Sequence, residues 1–254
     1  MKKVWLASYQ LDFVGGGSRK GYLLKVQTQD FEAGYADIFP WPEFGDDSFT
    51  EIPQKIKRES LSPLLQKSFL FAEKDGRARQ EGQSLYLQKP LNNHYLLGLS
   101  EPVDSSQVSA IRERGFDTVK IKLSGDFSRA MGWVRECASQ GLRLRLDFNR
   151  RGSREQLDHL AELAPSIDFI EDPFERSESW LEIEKSSPEL WKKLAFDHPG
   201  FAYNKVKTNW QVIKPAKQSH LSVQASQIVY TSYLDHPVGM IHGMIEASDS
   251  GTDF

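Results

Sequence analysis

Three acidic and three basic residues carry the chemistry this chain could do: Asp147, Glu171 and Asp197, with Lys120 and Lys122 before them and Lys214 after. They sit at the ends of short apolar, β-branched runs: TVKIKL, LRLRLDFN, IDFIEDP, KLAFDHP and QVIKPA. Charged residues are poor strand formers and costly to bury, so five such placements in series need an explanation beyond chance. Three carboxylates without thiolate or imidazole make an all-oxygen donor set, which favours Mg²⁺. Alternation along TVKIKL puts Lys120 and Lys122 on one face, where two ammonium groups repel and should lower a lysine pKa towards a useful base. The pattern reads as a hard-cation site with bases on either side.

Something must bring these residues together. Lys122 to Asp147 is 25 residues, Asp147 to Glu171 24, Glu171 to Asp197 26 and Asp197 to Lys214 17. Each of the longer intervals fits one strand, one loop and one helix. In a parallel β/α barrel all strand C-termini open at the same mouth, where distant residues converge. Seven strands are expected, at 95–100, 118–123, 142–148, 167–171, 193–197, 211–214 and 228–232, so the barrel is short of an eighth. Asp104 is the expected N-cap of one intervening helix, Ser153 and Gln156 have capping-box spacing for another, and VGMIHGMIEA reads as a last helix. Parity on LRLRLDFN predicts Arg145 below Asp147 as its charge partner and Asn149 at the rim as a supporting group. Residues 1–94 have a different texture. Their strand-like runs VWLASYQLDF, YLLKVQTQ and EAGYADIF, followed by helix-compatible sequence, predict an α+β capping domain. The expected division is a cap over 1–94, a barrel over 95–240 and a tail over 241–254.

Bulk properties narrow the function classes. At 254 residues, with 39% apolar and 26% charged residues, the chain suits a folded soluble protein. Its net charge of −3 gives no basic footprint for nucleic acid. No 18-residue apolar run occurs, the first thirteen residues do not make a secretion signal, and the single Cys137 suits a reducing compartment. A cytoplasmic protein, a monomer or weak homo-oligomer, is expected.

The set K-x-K (Lys120, Lys122), L-D-x-N (Asp147, Asn149), E-D-P (Glu171), F-D-H (Asp197) and V-I-K-P (Lys214) resembles the enolase superfamily in its muconate-lactonizing subgroup. Within it, GYADIFPWPEFGDD and VIKPA are similar to the o-succinylbenzoate synthase family of menaquinone biosynthesis. The resemblance implies an enolase-like (β/α)7β-type TIM barrel, here shortened, under the α+β cap. It also implies proton abstraction α to a carboxylate, with Mg²⁺, or Mn²⁺ in its place, on Asp147, Glu171 and Asp197. Lys122 would be the base and then the acid, Lys120 would tune it, and Lys214 would steady the enediolate as a cation. The substrate would be a small carboxylate, dehydrated to 2-succinylbenzoate. Arg19 or Lys20 in a capping loop would approach a substrate carboxylate, and Thr231, Ser232 and Gly239 its distal end. His198-Pro199 departs from the family pattern.

Other readings stay open at this stage. Dipeptide epimerases and N-acylamino-acid racemases carry the same lysine pair. A non-catalytic barrel that binds a partner, or an aldolase using Lys214 as a Schiff-base amine, would fit the fold. Gly15-Gly16-Gly17-Ser18-Arg19-Lys20 fails both phosphate-loop patterns, since Lys20 stands where the third glycine is needed.

Overall fold

Exposed and part-buried residues alternate through much of β1 (Lys3–Asp12), the pattern of a strand with one face on a core. The computed structural model describes residues 2–13, 17–85, 92–98, 104–197, 206–217, 225–233 and 235–250. Gly15, Gly16, His198 and Pro199 lie outside them, as do the last two residues of the strand expected at 95–100. Two compact units appear: 1–91 with 213–222 and 230–254, and 92–212 with 223–229.

In the first unit β1, β2 (Ser18–Gln27) and β3 (Gly34–Ile38) pair antiparallel in chain order. Leu24, Val26, Ala36 and Ile38 pack against Ile52 of α1 (Ile52–Lys57) and Leu64, Leu65 and Ala72 of α2 (Pro63–Gln80). Helix α2 lies against the backbone of β3, because Gly34 presents no side chain there, and Gly76 of α2 leaves room for the Phe31 ring.

The second unit holds β4 (Tyr95–Leu97), α3 (Ser105–Glu113), β5 (Thr118–Lys122), α4 (Phe127–Ser139) and β6 (Arg143–Asp147). There follow α5 (Arg154–Asp158), β7 (Ile167–Glu171), α6 (Ser177–Ser186), α7 (Pro188–Trp191), β8 (Leu194–Phe196), β9 (Trp210–Ile213) and β10 (Gln227–Tyr230), of which only the last residues of β9 and β10, Ile213 and Tyr230, group with the first unit. The strands form one seven-stranded sheet in chain order, and the pairs from β4 to β9 are parallel. Asp104 caps α3 by accepting from the Ser106 N–H, and Ser153 with Gln156 forms the reciprocal capping box of α5. One face of the sheet packs Ile121, Leu144, Leu146 and Ile170 against helices through Trp133, Val134 and Trp180. Phe169, Ala195, Val212 and Val229 pack on the other.

The last helix, α8 (Pro237–Ser250), groups with the first unit, a difference from the barrel-and-tail division expected after residue 94. Its contacts explain this. Lys67 pairs with Glu246 at 2.8 Å, Phe71 stacks on His242, and the His236 N–H donates to Asp37 Oδ2 at 3.0 Å. The Tyr9 hydroxyl donates to Asp37 Oδ1 at 2.6 Å, and the Tyr233 N–H to Asp235 Oδ1. A Cβ on Gly239 would lie 2.6 Å from Asp235 Oδ2 and 2.8 Å from Asp37 Oδ2, so this glycine lets two buried carboxylates face each other. Among the described residues no helix is long and apolar enough to cross a membrane.

That pair makes the unit's stability depend on pH. Burial, reinforced by the charge of Asp235, pushes Asp37 up to about 7, and burial pushes Asp235 to about 6. Both folded values exceed the ordinary ~3.9 of an unfolded aspartate. The contribution to stability is therefore complete below pH ~4 and lost as pH rises through 6 to 7. Asp235→Asn keeps an acceptor for the Tyr233 N–H and removes one charge. Thermal melts should show it raising Tm by about 2–8 °C at pH 8 and by less than about 1 °C at pH 5. Equal shifts at the two pH values would refute the linkage.

Candidate active site

Register brings the strand-end charges together. Lys122 lies opposite Asp147 across β5 and β6, and Asp147 opposite Glu171 across β6 and β7. Glu171 lies opposite Ala195 of β8, and Asp197, two residues on, shares the parity of Ala195. Hydrogen bonds continue the ladder past the strand ends, from Leu123 N–H to the Asp147 carbonyl, Phe148 N–H to Glu171 and Asp172 N–H to Ala195. The acidic side chains are almost wholly buried, at 4% exposure for Asp147, 3% for Glu171 and 9% for Asp197. Buried carboxylates need countercharge.

Lys120 supplies it from two residues below Lys122. Its Nζ lies 2.6 Å from Glu171 Oε2 and 3.3 Å from Asp147 Oδ2. Burial pulls the Lys120 pKa down, but Glu171, Asp147 and Asp197 outweigh it and hold the ammonium above the usual lysine range. This corrects the expectation that repulsion within the lysine pair dominates: the three acids decide Lys120. Lys122, at the exposed end of β5, is not enclosed in this way.

The turns after the strands hold the acids in place. The Asn149 N–H donates to Asp147 Oδ1 at 2.9 Å, and its amide reaches Ser124 Oγ at 3.3 Å. The Asp197 N–H donates to Asp172 Oδ1 at 3.1 Å. Asn149, Arg150 and Asp172 all have positive φ, at 47°, 64° and 43°, a strain of roughly 1–3 kcal/mol each that tends to gather at functional sites. Asp172 escaped the sequence reading although E-D-P displays it directly after Glu171. Its carboxylate fixes the backbone of the third acid.

Arg145 was expected to pair with Asp147. Instead it reaches Asp168 Oδ2 from its Nε at 3.6 Å and His94 Nδ1 from its Nη1 at 3.1 Å. Burial, then Arg145 and Lys120, push the His94 pKa down to about 3, so the ring is neutral. Neither His94 nor Asp168 had a sequence signal of its own.

The other expected residues belong to the first unit. Arg19 stacks 3.7 Å over the Trp41 ring and pairs with Glu43, so its guanidinium is already engaged. Lys20 is exposed, with Nζ 6.0 Å from the Phe49 ring centre. Lys214 follows β9, in a turn closed by Lys217 N–H on its carbonyl. The Thr231 N–H bonds the Ile213 carbonyl, Ser232 is half-buried, and Gly239 faces Asp37 and Asp235 in the first turn of α8.

A cation fits the chemistry of the donor set. Three buried carboxylates from adjacent strands already hold a cationic group, the Lys120 ammonium, against two of them. As they stand, no three acidic, histidine or cysteine side chains among the described residues are gathered closely enough to chelate an ion. Holding one would require Asp147, Glu171 and Asp197 to draw together around the ion beside the Lys120 ammonium.

Comparison with known proteins agrees with this architecture. The sequence profile of the O-succinylbenzoate synthase N-terminal domain matches residues 13–78. The chain is 30% identical to the o-succinylbenzoate synthase of Bdellovibrio bacteriovorus, over 89% of this chain and 73% of that protein. Its fold is similar to the o-succinylbenzoate synthase of Thermosynechococcus elongatus with Mg in the active site: TM-score 0.72, 16% identity, 100% of this chain and 91% of that one. It is also similar to a dipeptide epimerase of Methylococcus capsulatus complexed with Mg and a dipeptide: TM-score 0.67, 15% identity, 97% and 87% coverage.

Proposed function

Because the chain belongs to the o-succinylbenzoate synthase family of the enolase superfamily, we propose that it dehydrates 2-succinyl-6-hydroxy-2,4-cyclohexadiene-1-carboxylate to 2-succinylbenzoate. The observation that supports this chemistry best is the row Lys122, Asp147 and Glu171 in register across β5, β6 and β7. Asp147, Glu171 and Asp197 would hold a divalent cation, Mg²⁺ or Mn²⁺, which when bound supplies positive charge to the substrate carboxylate. Lys122 would take the proton α to that carboxylate. The same ammonium would return it to the departing β-hydroxide, so that the C–O bond breaks, water leaves and the ring becomes aromatic. One group serving both steps requires proton and hydroxide to leave from one face. Lys120, held as an ammonium, is suited to charge compensation and not to proton abstraction. Menaquinone biosynthesis and a cytoplasmic setting are the context this reaction implies.

The test pairs two assays on the purified protein with Mg²⁺ and with EDTA. Dehydration of the cyclohexadiene carboxylate is expected, and its loss on chelation. Exchange of the α-proton of N-succinylamino acids in D₂O, without dehydration, would overturn the dehydratase reading in favour of a racemase or epimerase.

A further inference from the structure

Lys120 and Arg145 are lateral neighbours across β5 and β6, and Phe169 of β7 is next in the row. This row lies one pleat repeat below Lys122, Asp147 and Glu171. Two cations directly opposite on one sheet face repel, so each needs its own partner. Lys120 finds Glu171 and Asp147 above it. Arg145, only 1% exposed, would compete for the same oxygens if nothing held it down.

What holds it comes from a break in register. Leu144 pairs with Ile167 and Arg145 with Phe169, which leaves Asp168 as the extra residue of a β-bulge. Bulges redirect side chains and are common beside active sites. Here Asp168 turns its Oδ2 to Arg145 Nε and its Oδ1 to Arg143 Nη1, each at 3.6 Å. His94 adds a neutral acceptor on the other side of the guanidinium. Since arginine only donates, His94 Nδ1 must accept at 3.1 Å and its proton must sit on Nε2. The guanidinium also lies 5.5 Å from the Phe169 ring centre.

We infer that Asp168 is a positioning residue, holding Arg145 in the lower row so that the oxygens of Asp147 and Glu171 stay available to Lys120 and to a divalent cation. The inference rests on the metal reading of the proposed function. Its mechanism is electrostatic: an unneutralised guanidinium beside the acids opposes a second cation and competes for their oxygens.

The test is titration of the purified protein with Mn²⁺, with free ion read by electron paramagnetic resonance and folding followed by circular dichroism. Asp168→Asn should weaken Mn²⁺ binding about tenfold, the lower end for residues that support metal ligands. Asp168→Glu should stay within about threefold of wild type. The double variant Asp168→Asn with Arg145→Met should recover wild-type affinity, because the competing charge is gone; a purely structural role predicts no recovery. Arg145→Met alone should bind at least as tightly as wild type, which keeps the inference testable if Asp168→Asn does not fold. Wild-type affinity in Asp168→Asn, or a tenfold loss in Arg145→Met, overturns the inference and leaves the metal reading intact. A wild-type protein that binds no Mn²⁺ overturns both.

Discussion

Lys122→Ala is expected to lose at least about 10³-fold in kcat for dehydration while keeping its fold. Positioned acid–base groups contribute roughly 10²–10⁴-fold, and Lys122 is proposed to act twice, as base and then as acid. Lys120 cannot replace it. That ammonium is fixed by Glu171 and Asp147, and the surrounding acids oppose its deprotonation. Lys122→Arg should be almost as impaired, because a guanidinium does not lose its proton. The fold should survive, since the side chain stands at the exposed end of β5. Turnover by Lys122→Ala within tenfold of wild type would move the base to another residue.

Gly34→Ala is expected to have the largest effect on stability. A Cβ there would lie 1.9 Å from the Ala72 carbonyl oxygen and 2.9 Å from both the Ala72 carbonyl carbon and the Gly76 nitrogen. All three are backbone atoms of α2, so no side chain can turn aside. Either the helix lifts from β3 or the strand shifts, and both loosen Leu64, Leu65 and Ala72 from the sheet. Overpacking of this kind costs about 3 kcal/mol or more, equivalent to a Tm loss of roughly 6–12 °C. Gly45→Ala is the control, with positive φ of 84° but nothing within 4 Å, and should cost about 1 kcal/mol. Equal losses for the two would show that backbone strain, not contact with α2, makes Gly34 necessary.

The fold was legible where local rules and tertiary packing agree. β5 to β9 each lie within a residue of the expected runs, because an apolar stretch ending in charge admits few readings. The caps at Asp104 and Ser153 were visible because capping depends on residues two or three apart. Features that depend on two strands at once were not. Strand parity put Arg145 below Asp147, but only the register of β6 against β7 reveals the bulge that gives it Asp168. Likewise TVKIKL treats its two lysines alike, whereas depth separates them: Lys120 is enclosed by acids and Lys122 emerges from the strand end. VGMIHGMIEA announced a helix but not the sheet it would join.

That last attachment bears on how the chain is made. Asp37 bonds the His236 N–H across 199 residues, and Lys67 reaches Glu246 across 179. At a ribosomal rate of about 5–20 residues per second, the N-terminal sheet waits roughly 10–40 s for these contacts. During that interval Asp37 lacks the His236 N–H, and α2 lacks its ion-pair partner. Such a unit matures late, and a fragment ending near residue 80 would stay permanently in its waiting state.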